Sequence, residues 1–235
     1  MKRGFGRRLA LAIVIVCVIA GGRPATAQQS AFPEIEKLGG TVRPAQWPAV
    51  TPAWIVNLEG LPITDDDLAH VARVDERSVG YLAMVLLGKT KITDAGLARL
   101  ADCKALEWID LGDVAINGSG LKHLAKAPRL KTVILSNTNI NDDALRHLSN
   151  VKTLESLNLS GTKISVAALK HLAAASRLRI LNLQDTRFTD GWTPALAALS
   201  NIEGLSLENT AVTDDGVRGL AKLARLQSLD LSGNK

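Results

Sequence analysis

Four histidines raise the first chemical question. His123, His147 and His171 recur every 24 residues, and His70 holds the matching place in an earlier stretch of the chain. A stack of imidazoles could ligate a metal. Zinc–nitrogen bonds are about 2 Å long, however, and packed helices stand about 8 to 10 Å apart, so ligands on successive helices do not converge. No column of cysteines or carboxylates runs beside them, and they read as solvated residues of a helical surface. Cys103 offers a thiol, but its column is otherwise filled by Val74, Ala127, Val151, Ala175, Leu199 and Leu223, which makes it a core residue. Asp65, Asp94, Asp142, Asp190 and Asp214 each follow a residue of N-cap type. The positive end of a helix dipole favours a carboxylate there, so these acidic turns are explained without calcium. Gly-x-Ser-x-Gly, His-Glu-x-x-His, phosphate-loop and dinucleotide-binding motifs are absent from the sequence. The residues predict no catalytic site, no cofactor and no metal, and hence a non-enzymatic chain.

The elements that would hold these residues come from an internal repeat. An apolar residue ahead of a helix-start signal recurs as Ile92, Ile116, Ile140, Ile164, Phe188 and Val212, each 24 residues after the last, and Ile63 opens the series 29 residues before Ile92. Apolar pairs such as Val85/Leu87, Ile109/Leu111 and Leu157/Leu159 precede each member, with Leu82, Leu106, Leu130, Leu154, Leu178, Ile202 and Leu226 further upstream. The alternation in Leu157-Asn158-Leu159 marks a short strand with alternate residues facing in. Later pairs three apart, among them Leu97/Leu100, Leu121/Leu124, Leu145/Leu148 and Leu169/Leu172, have helical spacing. Each unit is therefore strand, turn, short helix. A two-turn helix is marginal alone, so the units must bury their leucines against one another. Thr64, Thr93, Asn141, Ser165, Thr189 and Thr213 are the expected N-caps.

Three departures from the repeat carry expectations. Leu61 and Val114 stand where other units have Thr90, Thr138, Thr162, Thr186 and Thr210, so a side-chain ladder through that column should break twice. Extra residues between Val71 and Leu82 should lengthen the first helix or its return loop. Thr193-Pro194 replaces the usual leucine, which should delay that helix and leave Trp192 to fill space.

The unit Leu-x-x-Leu-x-Leu-x-x-Thr-x-Ile with a trailing Thr-Asp-x-Gly-Leu resembles bacterial leucine-rich-repeat proteins over roughly Ala53 to Lys235. The stretch Ile92-Thr93-Asp94-Ala95-Gly96-Leu97 is similar to the cysteine-containing repeats of F-box adaptors and of GALA-type bacterial effectors. It differs in its threonine column and in lacking an F-box segment. The resemblance implies an α/β solenoid, an arc with a parallel sheet on the concave side and short helices on the convex side, used as an interaction scaffold.

Residues 1–27 have a different chemistry. Lys2, Arg3, Arg7 and Arg8 precede an apolar run from Leu9 to Ala20, and Ala25-Thr26-Ala27 follows, which together predict a secretory signal cleaved after Ala27. The apolar run of 12 residues is short of the roughly 20 that a spanning helix needs, so no stable membrane insertion is expected after cleavage. Export places the protein in the periplasm or outside the cell. Residues 28–52 lack the repeat and read as an N-terminal cap, and residues 53–235 as about seven repeats with the start of an eighth. Of 28 basic residues five lie in the signal, which leaves 23 against 23 acidic ones. A neutral chain poor in aromatics gives no basis for nucleic-acid binding. Cys17 lies within the signal, so Cys103 has no intramolecular disulfide partner.

The concave face is the remaining candidate. One outward column runs Ile55, Met84, Trp108, Thr132, Ser156, Ile180, Gly204, Ser228, and its neighbour runs Asn57, Leu86, Asp110, Ile134, Asn158, Asn182, Ser206, Asp230. With strands about 4.8 Å apart, Met84, Leu86, Trp108 and Ile134 should form an exposed apolar patch, with Asp110, Asn158, Asn182 and Gln184 setting polar specificity. Such a face fits a protein or glycan partner. The competing expectation is self-association through an apolar C-terminal layer of Leu226, Leu229 and Leu231.

Overall fold

The computed structural model of the protein describes residues 32–45, 53–77 and 80–234. The predicted signal lies outside these residues, and none of the described helices is long and apolar enough to cross a membrane. A short helix α1 (Pro33–Lys37) and strand β1 (Thr41–Pro44) lead into β2 (Ala53–Asn57). The units that follow supply α2 (Leu68–Arg77), β3 (Tyr81–Leu86), a 3-10 turn (Gly96–Leu100), β4 (Trp108–Asp110), α3 (Leu121–Leu124), β5 (Thr132–Ile134) and α4 (Asp142–Leu148). Then come β6 (Ser156–Asn158), α5 (Val166–Leu172), β7 (Ile180–Asn182), a 3-10 turn (Asp190–Trp192) running into α6 (Thr193–Leu196), β8 (Gly204–Ser206), α7 (Asp214–Leu220) and β9 (Ser228–Asp230).

The described strands form one sheet in sequence order. β1 pairs antiparallel with β2, and every later pair is parallel. From β3 onward the register is unstaggered: Met84, Trp108, Thr132, Ser156, Ile180, Gly204 and Ser228 stand side by side. Each three-residue strand points its central residue, such as Ile109, Val133, Leu157 or Leu181, into a core shared with the helical leucines. This is the α/β solenoid that the repeat predicts.

The irregular units match their sequence. α2, the helix of the first repeat, is the longest among the described residues, at ten residues. Pro194 occupies the start of the delayed α6, and Trp192 is buried with its ring 5.5 Å from that of Phe188. Asn141, Ser165 and Thr213 cap their helices by accepting from Ala144, Ala167 and Asp215 N–H, whereas Thr189 caps through backbone geometry alone. The second unit closes with a 3-10 turn rather than an α-helix.

The threonine column does not form a ladder between units. Each hydroxyl of Thr90, Thr138, Thr162 and Thr186 donates to the carbonyl three residues earlier in its own unit, at 2.6 to 2.7 Å. Leu61 and Val114 therefore forgo a local turn closure, and no chain of bonds is cut at them. The real joints between units are carboxylates on the turn edge. Asp65 accepts from Thr93 N–H and Oγ1, Asp142 from Ser165 N–H and Oγ, and Asp190 from Thr213 N–H and Oγ1. Asp94 accepts the backbone N–H groups of Asn117, Gly118 and Gly120. The glycine of Thr-Asp-x-Gly-Leu follows from these clamps: a Cβ on Gly96 or Gly216 would collide with the anchored carboxylate of Asp65 or Asp190.

A second column missed at sequence level is conformational. Gly60, Lys89, Asp113, Asn137, Gly161, Asp185, Asn209 and Gly233 all have φ between 51° and 75°. The chain leaves each of the strands β2 to β9 through a left-handed residue, which explains why that column is mostly Gly, Asn and Asp.

Candidate binding face

The concave columns are built as their register requires, but they are less open than their polarity suggests. Leu86, Trp108 and Ile134 are half-buried and face solvent together. Met84 does not join them. Its side chain is fully buried, flanked in register by Ile55 and Trp108, whose bulk on either side shields it from water. The expected four-residue patch is a three-residue one. The indole N–H of Trp108 is enclosed without a hydrogen-bond acceptor, as is that of Trp54.

Asp110 lies between Leu86 and Ile134 on the neighbouring strands. Burial pushes its carboxyl above the usual carboxylate range, and Glu59 and Asp113 add to the rise. The Gly112 N–H, bonded at 2.8 Å, and the Lys89 ammonium act in the opposite sense and do not cancel it. Near the far end of the same edge, burial together with Asp230 and Asp185 raises Glu208.

The polar residues expected to confer specificity have a prior task. Asp110, Asn158 and Asn182 each accept, through the side-chain oxygen, the N–H of the residue two further on, namely Gly112, Ser160 and Gln184, at 2.8 to 2.9 Å. These bonds hold the turn that ends the strand. Asn182 is buried, and with it Gly204 and Ser206, whereas Ser156, Asn158, Ile180, Ser228 and Asp230 are half-buried. Gln184 is half-buried and donates to Asp185. The structure therefore brings Leu86, Trp108, Asp110 and Ile134 into one place and leaves Asn158, Asn182 and Gln184 along a separate polar stretch.

The other chemical candidates fall elsewhere. His70, His123, His147 and His171 are half-buried on the helical side, and among the described residues no three His, Cys, Asp or Glu side chains gather as a metal site. Desolvation, then Lys122 and Lys126, hold His123 below its ordinary value. Cys103 is buried in the core column. A groove of about 510 Å³ on the helical side is lined by Val166, Ala173, Gly191, Pro194, Ala195 and Ala198, with Lys170 as its single charged group.

A 24-residue unit of strand and short helix, stacked in unstaggered register over a shared leucine core, defines a leucine-rich-repeat solenoid. Within that class the chain is similar to internalin C2 of Listeria monocytogenes, with a TM-score of 0.50 and 19% identity over 76% of this chain and 80% of that one. It is also similar to the internalin inlF of the same organism, with a TM-score of 0.49 and 22% identity over 70% of this chain, and it spans 50% of that chain's length. No protein-family model and no curated protein sequence matches it.

Proposed function

We propose that this chain is an exported, non-enzymatic module, periplasmic or extracellular, that binds a protein through the N-terminal half of its concave face. The observation that carries this reading is the cluster of Leu86, Trp108 and Ile134 on adjacent strands of a sheet surface whose other half-buried positions are mostly polar, with the desolvated Asp110 among them. Solenoids present such concave surfaces to partners, and apolar clusters centred on a tryptophan supply most of the affinity in protein interfaces. Asp110 would meet a positive charge or a hydrogen-bond donor of the partner, and Asn158, Asn182 and Gln184 would offer the polar groups left over from their turn bonds. The predicted signal in residues 1–27 supports export.

The test is affinity capture from an envelope extract with the full chain, run beside Trp108→Ala and Ile134→Asp variants whose thermal unfolding is unchanged. A protein enriched by the wild-type chain and reduced about tenfold or more by each variant is the expected result. Recovery of the same proteins in equal amounts by all three would sink the assignment of this face.

A further inference from the structure

The near-neutral charge of the repeat region conceals a segregation that only the fold makes visible. Six return segments close a helix and lead into the next strand: 98–107, 122–131, 146–155, 170–179, 194–203 and 218–227. They hold fourteen Lys or Arg against four Asp or Glu, while the stretches between them hold two against nine. Because the strands pair without stagger, equivalent positions of successive units stand side by side, about 4.8 Å apart at the sheet. All the return segments therefore line one edge of the solenoid and all the turns the other.

The basic edge is densest in segments 122–131, 146–155 and 170–179, where nine cations meet one carboxylate, Glu155. Four of the nine are engaged. Lys131 pairs with Glu107 at 2.7 Å, Arg179 with Glu203 at 3.8 Å and Arg146 with Asp143 at 3.2 Å, and Arg129 lies 5.5 Å over the Tyr81 ring. Lys122, Lys126, Lys152, Lys170 and Arg177 are exposed and have no ion pair among the described residues. Helix dipoles account for part of this placement, since cations are favoured at C-terminal ends. They do not account for its size. Helices of four to seven residues offer a fractional charge each, and one cation per end would answer it. The surplus is like charge crowded on one surface, held without internal compensation.

We propose that this edge docks on an anionic phospholipid surface. The patch extends over three units in one direction and along the return segments in the other, so it offers a plane of headgroups several unpaired cations from successive units. It is flanked by alanines, Pro128 and polar residues, with no exposed aromatic to stack on bases or to insert into a bilayer, and its aromatic neighbour Tyr81 is covered by Arg129. Attachment of this kind is peripheral, reversible and sensitive to salt. None of the five unpaired cations belongs to the concave columns, so the inference is independent of the proposed protein partner.

The test is co-sedimentation of the full chain with vesicles of phosphatidylcholine mixed with phosphatidylglycerol, and with phosphatidylcholine alone. Two double variants carry the same change of net charge: Lys126→Glu with Lys152→Glu on the basic edge, and Lys163→Glu with Arg187→Glu on the opposite one. All four positions are exposed, and matched thermal unfolding curves establish that both variants fold. Any contribution from residues 1–27 is common to both and cancels. The expected result is binding to the mixed vesicles only, weakened about tenfold or more by the first pair and less than about twofold by the second. Equal weakening by both pairs, no effect of the first, or tighter binding of the wild-type chain to heparin or duplex DNA at the same ionic strength would overturn the proposal.

Discussion

Asp94 and Asp110 lie on the same edge of the solenoid and in opposite circumstances. On the helical side of that edge, Asp65, Asp94, Asp142 and Asp190 each receive at least two hydrogen bonds from the next unit, so their charge is spent in joining repeats. On the concave side, Asp110 has one backbone donor, two carboxylate neighbours and apolar side chains on both flanking strands. One residue type thus serves cohesion in one row and stands under-compensated in the other. Hydrogen bonding separates Asp190 from Asp110: the hydroxyl and N–H of Thr213 favour the anion at Asp190, whereas Asp110 is desolvated beside Glu59 and Asp113.

The largest effect expected from breaking this contrast is at Asp94. Asp94→Ala removes the acceptor of three backbone N–H groups, and a loss of about 3 kcal/mol should appear in denaturant unfolding. A loss below about 1 kcal/mol would mean that water replaces the clamp. Gly216→Ala should come next. The added methyl must displace the Asp190 carboxylate from Thr213, at a cost of about 1 to 3 kcal/mol. The same substitution made on an Asp190→Gly background should cost less, since the nearest obstacle is gone and only the Val212 methyl, 2.7 Å from the added carbon, must still give way; full additivity in this double-mutant cycle would refute the carboxylate's part in the steric account of the glycine.

The smallest effect, and the sharpest for the comparison, is in pH dependence. The hydroxyl and N–H of Thr213 lower the Asp190 pKa, so its contribution to stability is complete above the ordinary carboxylate range and is lost as pH falls through its folded-state value. Asp110 is raised, so it costs stability near neutral pH and the cost is relieved as pH falls through its own value. Asp190→Asn should flatten the acid side of the stability curve, whereas Asp110→Asn should leave the neutral-pH melting temperature equal or higher. If the two variants shifted that temperature in the same direction, the distinction between the rows would fail.

Much of this molecule is legible in its sequence because the repeat restates each element several times. The 24-residue period, the alternation in Leu157-Asn158-Leu159 and the leucine pairs three apart place strands, turns and helices without reference to anything outside the chain. What stayed hidden depends on relations between units. The burial of Met84 depends on how much bulk Ile55 and Trp108 place on either side of it, and neither is adjacent in sequence. Asp110, Asn158 and Asn182 look like free polar groups until the left-handed residue three positions later bends the backbone so that an N–H returns to each. The clamps did leave a signal, since Asp65, Asp94 and Asp190 are each matched by a glycine in the following unit, Gly96, Gly120 and Gly216. Net charge misled for a related reason: a sum over the chain discards position, and position within the unit is what the fold converts into an edge.

The unstaggered register has a consequence for how such a molecule can change length. Because the carboxylate clamps recur, the strand exit is left-handed at every turn, and neighbouring strands meet at equivalent residues, a cut placed at the same point in two central units leaves matching ends. A unit could be removed or duplicated between β5 and β7 with the strand register kept, and β1 and β2 would be unaffected; the carboxylate clamp is the contact that changes, since Val166 stands where Asp142 and Asp190 do. The sheet would shorten or lengthen in whole steps of about 4.8 Å. The reach of its surfaces is therefore an inheritable integer, adjustable by recombination within the gene rather than by substitution.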